Sequence, residues 1–320
     1  MGKGEKGERK EKETFFFHLT ICAPCVFTLP LFPCCPISWR IMLIRNISDT
    51  ALLAAVYRAR ENEHPKALFR DPFARRLAGE RGQEIAKSLA FSEKNAWSWF
   101  TRTYLFDQFI TRCLGEGCDT VINLAAGLDA RPYRLALPAS LKWIEVDLPD
   151  ITDYKEELLR DEKPSCTLER VRLDLSDVSG RRELFQRVAK QSRQALIISE
   201  GLVLYLSSEE VGSLATDLAA HEQFRYWLLD ITSPALLKML QKKMGKAFDE
   251  AAAPFKFAPA DGPEFFSKFG WKPVGVRSIW HTAGALKRLP RLMSFFYHLQ
   301  KSEAFQANRP WAGACLLRKQ

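Results

Sequence analysis

The sequence predicts an α/β protein with a mostly parallel sheet and helices on both faces. From residue 119 onward, short apolar runs alternate with amphipathic segments, and this alternation is typical of parallel sheets with crossover helices. The composition supports a globular fold, since 47% of the residues are hydrophobic and 27% are charged. No internal repeat or long linker divides the chain, so we expect one domain with a helical part at its N-terminal end.

Residues 1–45 are predicted to form a disordered or apolar N-terminal extension of this domain. Residues 1–13 are polar, charged and glycine-containing, and this composition favours disorder. Residues 15–32 are strongly apolar, and together with the basic start they imitate a signal peptide or a minimal membrane span.

Two prolines and one histidine interrupt the apolar run: His18, Pro24 and Pro30. We therefore expect residues 1–41 to be an upstream extension or a wrongly assigned start. The protein is accordingly expected to be cytoplasmic, with a membrane or export role as the alternative.

The folded domain is predicted to begin with a helical part at 46–115. Apolar residues at helical spacing predict a helix over 48–64. Asp71-Pro72 indicates a turn, and a short helix is expected to follow it and to end at Gly79. A longer helical stretch is expected over 93–114.

The remainder, residues 119–320, is predicted to form the sheet and its covering helices. Strands are expected at 120–124, 141–146, 168–173, 195–199 and 225–231. Helices are expected at 130–136, 150–160, 179–191, 208–221 and 234–245. The stretch 265–279 reads as a helix, a Gly-Trp turn and a strand, and 311–319 reads as a last buried strand.

The motif with the clearest chemical meaning spans residues 121–135, VINLAAGLDARPYRL. A short apolar strand, 121–124, leads into the small-residue turn Ala125-Ala126-Gly127, and the next strand ends twenty residues later in Asp147. Such a turn lets the backbone approach a ligand closely, and an acid at the end of the second strand can accept the hydroxyl hydrogens of a ribose. The motif therefore predicts a nucleoside site.

Charge and cysteine usage limit the other kinds of site. The net charge of +9 is spread along the chain, which disfavours nucleic-acid binding. Four scattered cysteines favour a reducing compartment: Cys113, Cys118, Cys166 and Cys315. Four more crowd the N-terminus, but no histidine stands at ligand spacing near them, so we expect no metal: Cys22, Cys25, Cys34 and Cys35.

The chain resembles the leucine carboxyl methyltransferase family of S-adenosylmethionine-dependent enzymes, which includes bacterial members of unassigned substrate. The matching segments lie at 56–80, 100–110, 121–135, 144–149, 172–175 and 199–206. The resemblance implies a Rossmann-like methyltransferase fold with a seven-stranded sheet closed by an antiparallel pair. It also implies that the helical part at 46–115 covers the cofactor as a lid.

The same resemblance assigns candidate residues to the parts of S-adenosylmethionine. Arg60 and Arg102 match the basic positions that meet the amino-acid carboxylate, and a guanidinium suits that partner. The turn from Ala125 to Gly127 is expected to pack against the methionine part, although many methyltransferases have glycine where Ala125 stands. Asp147 is expected to bind the ribose.

The third and fourth strand ends supply the remaining candidates. Asp174 and the backbone of Leu175 are expected to meet the adenine edge, and Glu200 is expected to bind the cofactor's amino group or the sulfonium region. Asp129 and Arg131 can pair with one another and order the loop. Each of these residues also has a purely structural interpretation, as a strand-end acid, a surface arginine or a plain turn.

No catalytic residue is assigned from the sequence. A carboxylate acceptor loses no proton on methylation, whereas a hydroxyl acceptor needs a base. His221 and His281 are the histidines nearest to such a role, but a lone histidine is more often structural.

The leading functional hypothesis is an O-methyltransferase that acts on a carboxylate or hydroxyl, in a small molecule or at a protein C-terminus. A nicotinamide-dependent oxidoreductase is the second hypothesis, and the lack of Gly-x-Gly-x-x-Gly after the first strand weighs against it. A non-catalytic protein that keeps the fold, tethered to a membrane by residues 15–32, is the third. The oligomeric state and the acceptor have no sequence signal.

Overall fold

The computed structural model describes residues 49–250, 253–299 and 303–320. The start of the predicted domain at 46, the apolar run 15–32 and the four N-terminal cysteines lie outside the described residues. Within the described ranges, every helix is too short or too polar to cross a lipid bilayer. The four cysteines of these ranges are buried free thiols.

Four helices come first in the described chain: α1 (Asp49–Glu63), α2 (Ala74–Ser88), α3 (Ala90–Lys94) and α4 (Ala96–Gly115). The helix predicted to end at Gly79 is interrupted there, because Gly79 has the non-helical dihedrals φ 56° and ψ −171°. A second helical piece follows at once, so α2 consists of two pieces joined across a kink. Glycine accepts this positive φ without a steric penalty. The stretch predicted at 93–114 is two helices that meet at Asn95.

Seven strands form one sheet in the order β3-β2-β1-β4-β5-β7-β6. Their bounds are β1 (Thr120–Leu124), β2 (Lys142–Asp147), β3 (Thr167–Arg172), β4 (Ala195–Ser199), β5 (Phe224–Thr232), β6 (Trp271–Ser278) and β7 (Ala312–Lys319). Strands β1 to β5 pair in parallel, while β7 runs antiparallel to both β5 and β6. The predicted α/β fold, with a mostly parallel seven-stranded sheet and an antiparallel pair at its end, is confirmed.

Seven further helices connect or flank the strands: α5 (Arg131–Arg134), α6 (Pro149–Leu159), α7 (Val178–Gln191), α8 (Ser208–Ala219), α9 (Pro234–Glu250), α10 (Ile279–Ala285) and α11 (Arg291–Leu299). Two segments of 3₁₀ helix lie at Val203–Tyr205 and Gly262–Phe269. Helices α10 and α11 had no counterpart among the predicted elements.

Both faces of the sheet are covered because its central strands are apolar on both sides. Ile122 and Leu124 of β1 lie in the cluster that α7 and α8 complete, whereas Val121 lies in the opposite cluster, which α4 completes. Successive side chains of a strand point to opposite faces, so a strand without polar residues needs a layer of helices on each side. The predicted helices on both faces are therefore confirmed.

The topology also fixes where a ligand can bind. The chain leaves β1 for β2 on one side and, after β3, returns to place β4 on the other side of β1. The loops after β1 and β4 consequently diverge and leave a crevice at the carboxyl ends of these strands. The turn at 125–127 lies at this switch point.

Candidate functional site

A large cavity, about 960 Å³ in volume, lies at the carboxyl ends of the parallel strands. Its lining includes residues that directly follow β1, β2, β3 and β4, residues at the end of β5, and residues of α1 and α4. Ligand pockets measure about 300–1,000 Å³, so this cavity is at the upper end of the range. It has room for more than one small molecule.

The turn after β1 lines this cavity and has an unusual backbone geometry. Ala125 has φ 52° and Gly127 has φ 47°, so two residues of the turn are left-handed. The N–H of Ala126 donates to the carbonyl of Val146 at 3.2 Å, which ties the turn to β2. A Cβ on Gly127 would lie 3.0 Å from that of Ala51, so α1 passes directly over the turn.

Asp147 stands at the end of β2 and lines the cavity. Its Oδ2 accepts the Gly127 N–H at 2.5 Å, and its Oδ1 accepts the Leu148 N–H at 2.8 Å. Burial raises the pKa of the Asp147 carboxyl above its usual range, although these two N–H donors act in the opposite direction. A carboxylate has about four lone-pair positions, so two remain available for a ligand.

The end of β3 places Asp174 and Leu175 on the same cavity. Asp174 is exposed, and its Oδ1 accepts the Ser176 N–H at 2.8 Å. The carbonyl of Leu175 accepts Arg181 Nη1 at 2.9 Å, and Asp217 holds the same guanidinium. These contacts fix the loop after β3 while leaving the other Asp174 oxygen without a described hydrogen bond.

Arg102 of α4 reaches the loop after β4 and the end of β5. Its Nε donates to Glu200 Oε1 at 3.1 Å, and its Nη1 donates to Asp230 Oδ2 at 3.2 Å. The N–H of Gly201 donates to Asp230 Oδ1 at 2.6 Å. Burial raises the pKa of Asp230, while Arg102 acts to lower it.

A second arginine joins this cluster to the loop after β1. Arg131 lies 2.7 Å from Asp107 Oδ1, 2.7 Å from Asp129 Oδ2 and 2.8 Å from Glu200 Oε2. The predicted contact between Asp129 and Arg131 is thus present in the structure. Because Glu200 bridges Arg102 and Arg131, the fourth strand end is held to both α4 and α5.

The negative charge of Asp129 is balanced by the basic side chains around it. Burial alone would raise the pKa of this carboxyl, but Arg131, Lys155 and Arg134 hold it well below its usual range. Asp129 also accepts Asn123 Nδ2 at 2.9 Å. We interpret it as an ordering residue for the loop, since its oxygens are occupied by protein donors.

The two predicted arginines are placed differently from one another. Arg102 lines the cavity, whereas Arg60 lies outside its lining, donates to Glu93 Oε1 at 2.6 Å and is 37% exposed. Arg58, which was not predicted, lines the cavity instead. It donates to Asp71 at 2.9 Å and to the carbonyl of Leu128 at 2.5 Å.

Arg58 lines the cavity and Arg60 does not because of the rotation of α1 about its own axis. Ala51, Ala54 and Arg58 are spaced three and four residues apart, so they share one face of the helix, and that face lines the cavity. Arg60 projects about 200° further around. This row of small residues ending in an arginine was the signal that could have identified Arg58.

Asp230 and Tyr205 are the other lining residues of interest that lacked a predicted cofactor role. Burial raises the pKa of Tyr205 to about 12, and its ring stacks on Phe248 with centroids 6.5 Å apart. Asp230 comes directly after the apolar residues 226–229 of β5, much as Asp147 ends β2, and this shared pattern could have identified it. His221 and His281 do not line the cavity.

Comparisons with known proteins agree with this geometry. A family model described as leucine carboxyl methyltransferase matches residues 51–219, more than half of the chain. A Parafrankia protein is 32% identical over 183 residues, covering 54% of this chain and 59% of its own length. A Frankia alni protein is 30% identical over 201 residues, covering 58% and 72%. Both are provisionally named S-adenosyl-L-methionine-dependent methyltransferases.

The match to these relatives is partial, and the chain spans about three-fifths of the Parafrankia protein. Two crystal structures show the same fold over nearly their whole length. A DUF574 family protein from Streptomyces avermitilis has a TM-score of 0.56 at 12% identity, covering 85% of this chain and 97% of its own. A protein from Thermobifida fusca has a TM-score of 0.54 at 15% identity, covering 87% and 96%.

Proposed function

The chain belongs to the leucine carboxyl methyltransferase family, and from this premise we propose that it transfers a methyl group from S-adenosylmethionine to an acceptor oxygen. The observation that carries the proposal is the convergence of five strand ends on one cavity, with Asp147 beside the left-handed turn. That convergence offers partners for each part of the cofactor.

The residues present fit the nucleoside half of the cofactor. Asp147 keeps two lone-pair positions for the ribose hydroxyls, and the turn from Ala125 to Gly127 places backbone rather than bulky side chains beside them. Asp174 has an oxygen available for the exocyclic amine of adenine, next to the backbone of Leu175. The adenine ring itself would lie among the apolar side chains near these strand ends.

The Arg102 cluster fits the amino-acid half. A guanidinium carries five donors, and two of them hold Glu200 and Asp230, so Arg102 can also meet a carboxylate. Glu200 and Asp230 can accept from an ammonium group. Arg58 replaces Arg60 as the arginine of α1 on this cavity, but its described donors are directed at Asp71 and Leu128.

When bound, S-adenosylmethionine supplies an activated methyl group, and the acceptor oxygen bonds to this carbon as the carbon–sulfur bond breaks with its electron pair kept by sulfur. The chain contributes alignment and exclusion of water. Residues of helices α1 and α4 line the cavity together with the strand ends. Alignment of two bound reactants can contribute about 7–11 kcal/mol.

Proton transfer depends on the acceptor. A carboxylate acceptor needs no base, whereas a hydroxyl loses a proton during transfer. Asp230 and Glu200 line the cavity, and burial raises the pKa of Asp230, which makes it a better proton acceptor than an ordinary aspartate. The nicotinamide alternative has less support, because the family match covers the turn that lacks its glycines.

Replacement of Asp147 tests the cofactor site. We expect Asp147→Asn to weaken binding of S-adenosylmethionine by about 10- to 100-fold, because a hydrogen bond to a charged group contributes about 1.5–3 kcal/mol. Titration calorimetry measures this directly. Asp150→Asn is the matched control, since Asp150 is exposed three residues further along, outside the cavity lining. Equal affinity in the wild type and Asp147→Asn would contradict the proposed site.

Activity needs a separate measurement. We expect purified protein, incubated with cell extract and methyl-labelled cofactor, to transfer label to a protein or small-molecule fraction. The label should be released by mild base if the acceptor is a carboxylate and should resist it if the acceptor is a hydroxyl. Cofactor binding without transfer to any fraction would favour a non-catalytic protein.

A further inference from the structure

On the basis of the proposed function, we propose that one part of the cavity is a chamber for a long apolar acceptor with its reacting oxygen at one end. We define the acceptor chamber as the part of the cavity lined by described residues from Thr232 to Ala312. These residues come from the end of β5, from α9, from the segment around Phe255, and from α10, α11 and the start of β7.

The first support is the distribution of charge along the cavity lining. Every charged residue that lines the cavity falls between Arg58 and Asp230 in the sequence. Among the described lining residues from Thr232 onward, none is aspartate, glutamate, lysine or arginine. The chain from Thr232 onward therefore contributes only uncharged residues to the cavity, while the charged part of the lining, which suits the cofactor, comes from the segments before it.

Helix α9 shows that the uncharged character follows from its orientation. Leu236, Met239, Leu240 and Met244 recur at helical spacing and line the chamber. The four lysines of the same helix are exposed and are not among the lining residues: Lys238, Lys242, Lys243 and Lys246. The side chains that this helix contributes to the cavity are therefore apolar, while its lysines extend to solvent, including Lys243, which lies on the same side of the helix as Leu236.

The chamber adjoins the charged part at β5. Asp230 and Thr232 are two residues apart, so their side chains share one face of this strand, and both line the cavity. Tyr205, beside the Arg102 cluster, lies 5.7 Å from the Phe255 ring of the chamber wall. An acceptor in the chamber would therefore present one end to the carboxylates and to the cofactor.

The chemistry of the walls limits what can bind. A charged or many-hydroxyl acceptor would lose its hydration without finding partners along these walls, which is costly. Burial of a hydrocarbon is favourable, because it removes apolar surface from water. Three methionines line the chamber, Met239, Met244 and Met293, and methionine side chains adapt to irregular apolar shapes. An extended chain or a fused ring system fits this lining better than a polar metabolite.

A chain-length series tests the proposal. Dodecan-1-ol and dodecanoic acid would be compared with butan-1-ol and butanoic acid, in the presence of saturating S-adenosylhomocysteine. Binding would be measured through tryptophan fluorescence, since Trp97 and Trp280 line the cavity with ring centroids 5.7 Å apart. We expect affinity to rise about fourfold for each added methylene that is buried. Affinity that is independent of chain length in both series would overturn the proposal.

Introducing a charged side chain into the chamber is a second test of the proposal. We expect Met239→Glu to weaken dodecan-1-ol binding at least 10-fold, because the new carboxylate would be desolvated by the ligand. Lys238→Glu is the matched control, since it introduces the same side chain one residue earlier on the exposed face. Unchanged dodecan-1-ol affinity in Met239→Glu would refute the chamber assignment.

Cofactor affinity, measured on the same samples, separates the two proposals. Failure of the wild-type protein to bind S-adenosylmethionine would contradict the proposed function. Normal cofactor binding together with a flat chain-length series would defeat only the acceptor chamber.

Discussion

Ala125, in the turn that lines the cavity, has a backbone conformation that is unfavourable for alanine. Its φ of 52° lies in the left-handed region, where an L-residue with a Cβ is less stable by about 1–2 kcal/mol. The neighbouring Gly127 adopts a similar φ of 47° without that cost. The alanine at this position therefore makes the turn strained, while still allowing close approach of a ligand.

We expect Ala125→Gly to stabilise the protein by about 1 kcal/mol, because relief of the left-handed strain exceeds the added flexibility of the unfolded chain. Urea unfolding followed by circular dichroism would measure the change. Ala126→Gly is the control, because Ala126 has no positive φ and should lose about 0.5–1 kcal/mol. A lower stability for Ala125→Gly than for Ala126→Gly would show that the turn is not strained.

Seven of the eight cofactor residues predicted from the sequence line the cavity, and Arg60 is the exception. Asp147, Asp174 and Glu200 follow strands, and the carboxyl ends of parallel strands necessarily meet at one edge of the sheet. Arg60 was misplaced because its contacts depend on the rotation of α1, which only packing fixes. The contacts of Asp147, Asp174 and Glu200 with S-adenosylmethionine remain predictions.

At the scale of elements, strands were easier to predict than the helices that surround them. All five parallel strands begin and end within one residue of their expected bounds. β1 and β4 are short and mostly apolar, and their length of five residues favours strands over helices. β3, TLERVR, instead alternates apolar and polar residues and is partly exposed, as expected for a strand at the edge of the sheet. Helices α10 and α11 were missed because each is shorter than ten residues, and because Ser278, the N-cap of α10, was assigned to the preceding strand.

Helix α8 has a complete capping box that we expect to stabilise the loop after β4. Ser207 Oγ accepts the Glu210 N–H at 3.2 Å, and Glu210 Oε2 accepts the Ser207 N–H at 2.6 Å. Glu210 also lines the cavity, so the cap lies at the edge of the site.

Ser207→Ala is expected to lower the free energy of unfolding by about 1 kcal/mol, since it leaves an N-terminal N–H of α8 without its partner. Chemical denaturation provides the measurement. Ser208→Ala, one residue into the helix, should change stability by less than half as much, because the box uses Ser207 rather than Ser208. Equal effects of the two substitutions would argue against a contribution from the cap.

At the scale of the whole molecule, the N-terminal helices and the sheet share one site. Thr50, Ala51 and Ala54 of α1 line the same cavity as the strand ends. A ligand there would touch both parts and couple them. The expected role of these helices as a lid follows from this arrangement and remains a prediction.

We expect S-adenosylmethionine at 100 times its dissociation constant to stabilise the protein by about 2.7 kcal/mol. Hydrogen exchange in α1 should slow more than in the segment Gly262–Phe269, which does not line the cavity. Thermal unfolding and exchange measured by mass spectrometry would test both expectations. Stabilisation without added protection of α1 would mean that this helix does not cover the cofactor.

The place of β7 in the sheet has a consequence for biosynthesis. β6 has no described pairing with β5 and reaches the sheet only through β7, which is made later. While the chain is still being translated, β6 therefore leaves the ribosome without a neighbouring strand, and its edge stays open until β7 arrives. Nascent chains that stall between these two strands would be the forms most in need of a chaperone.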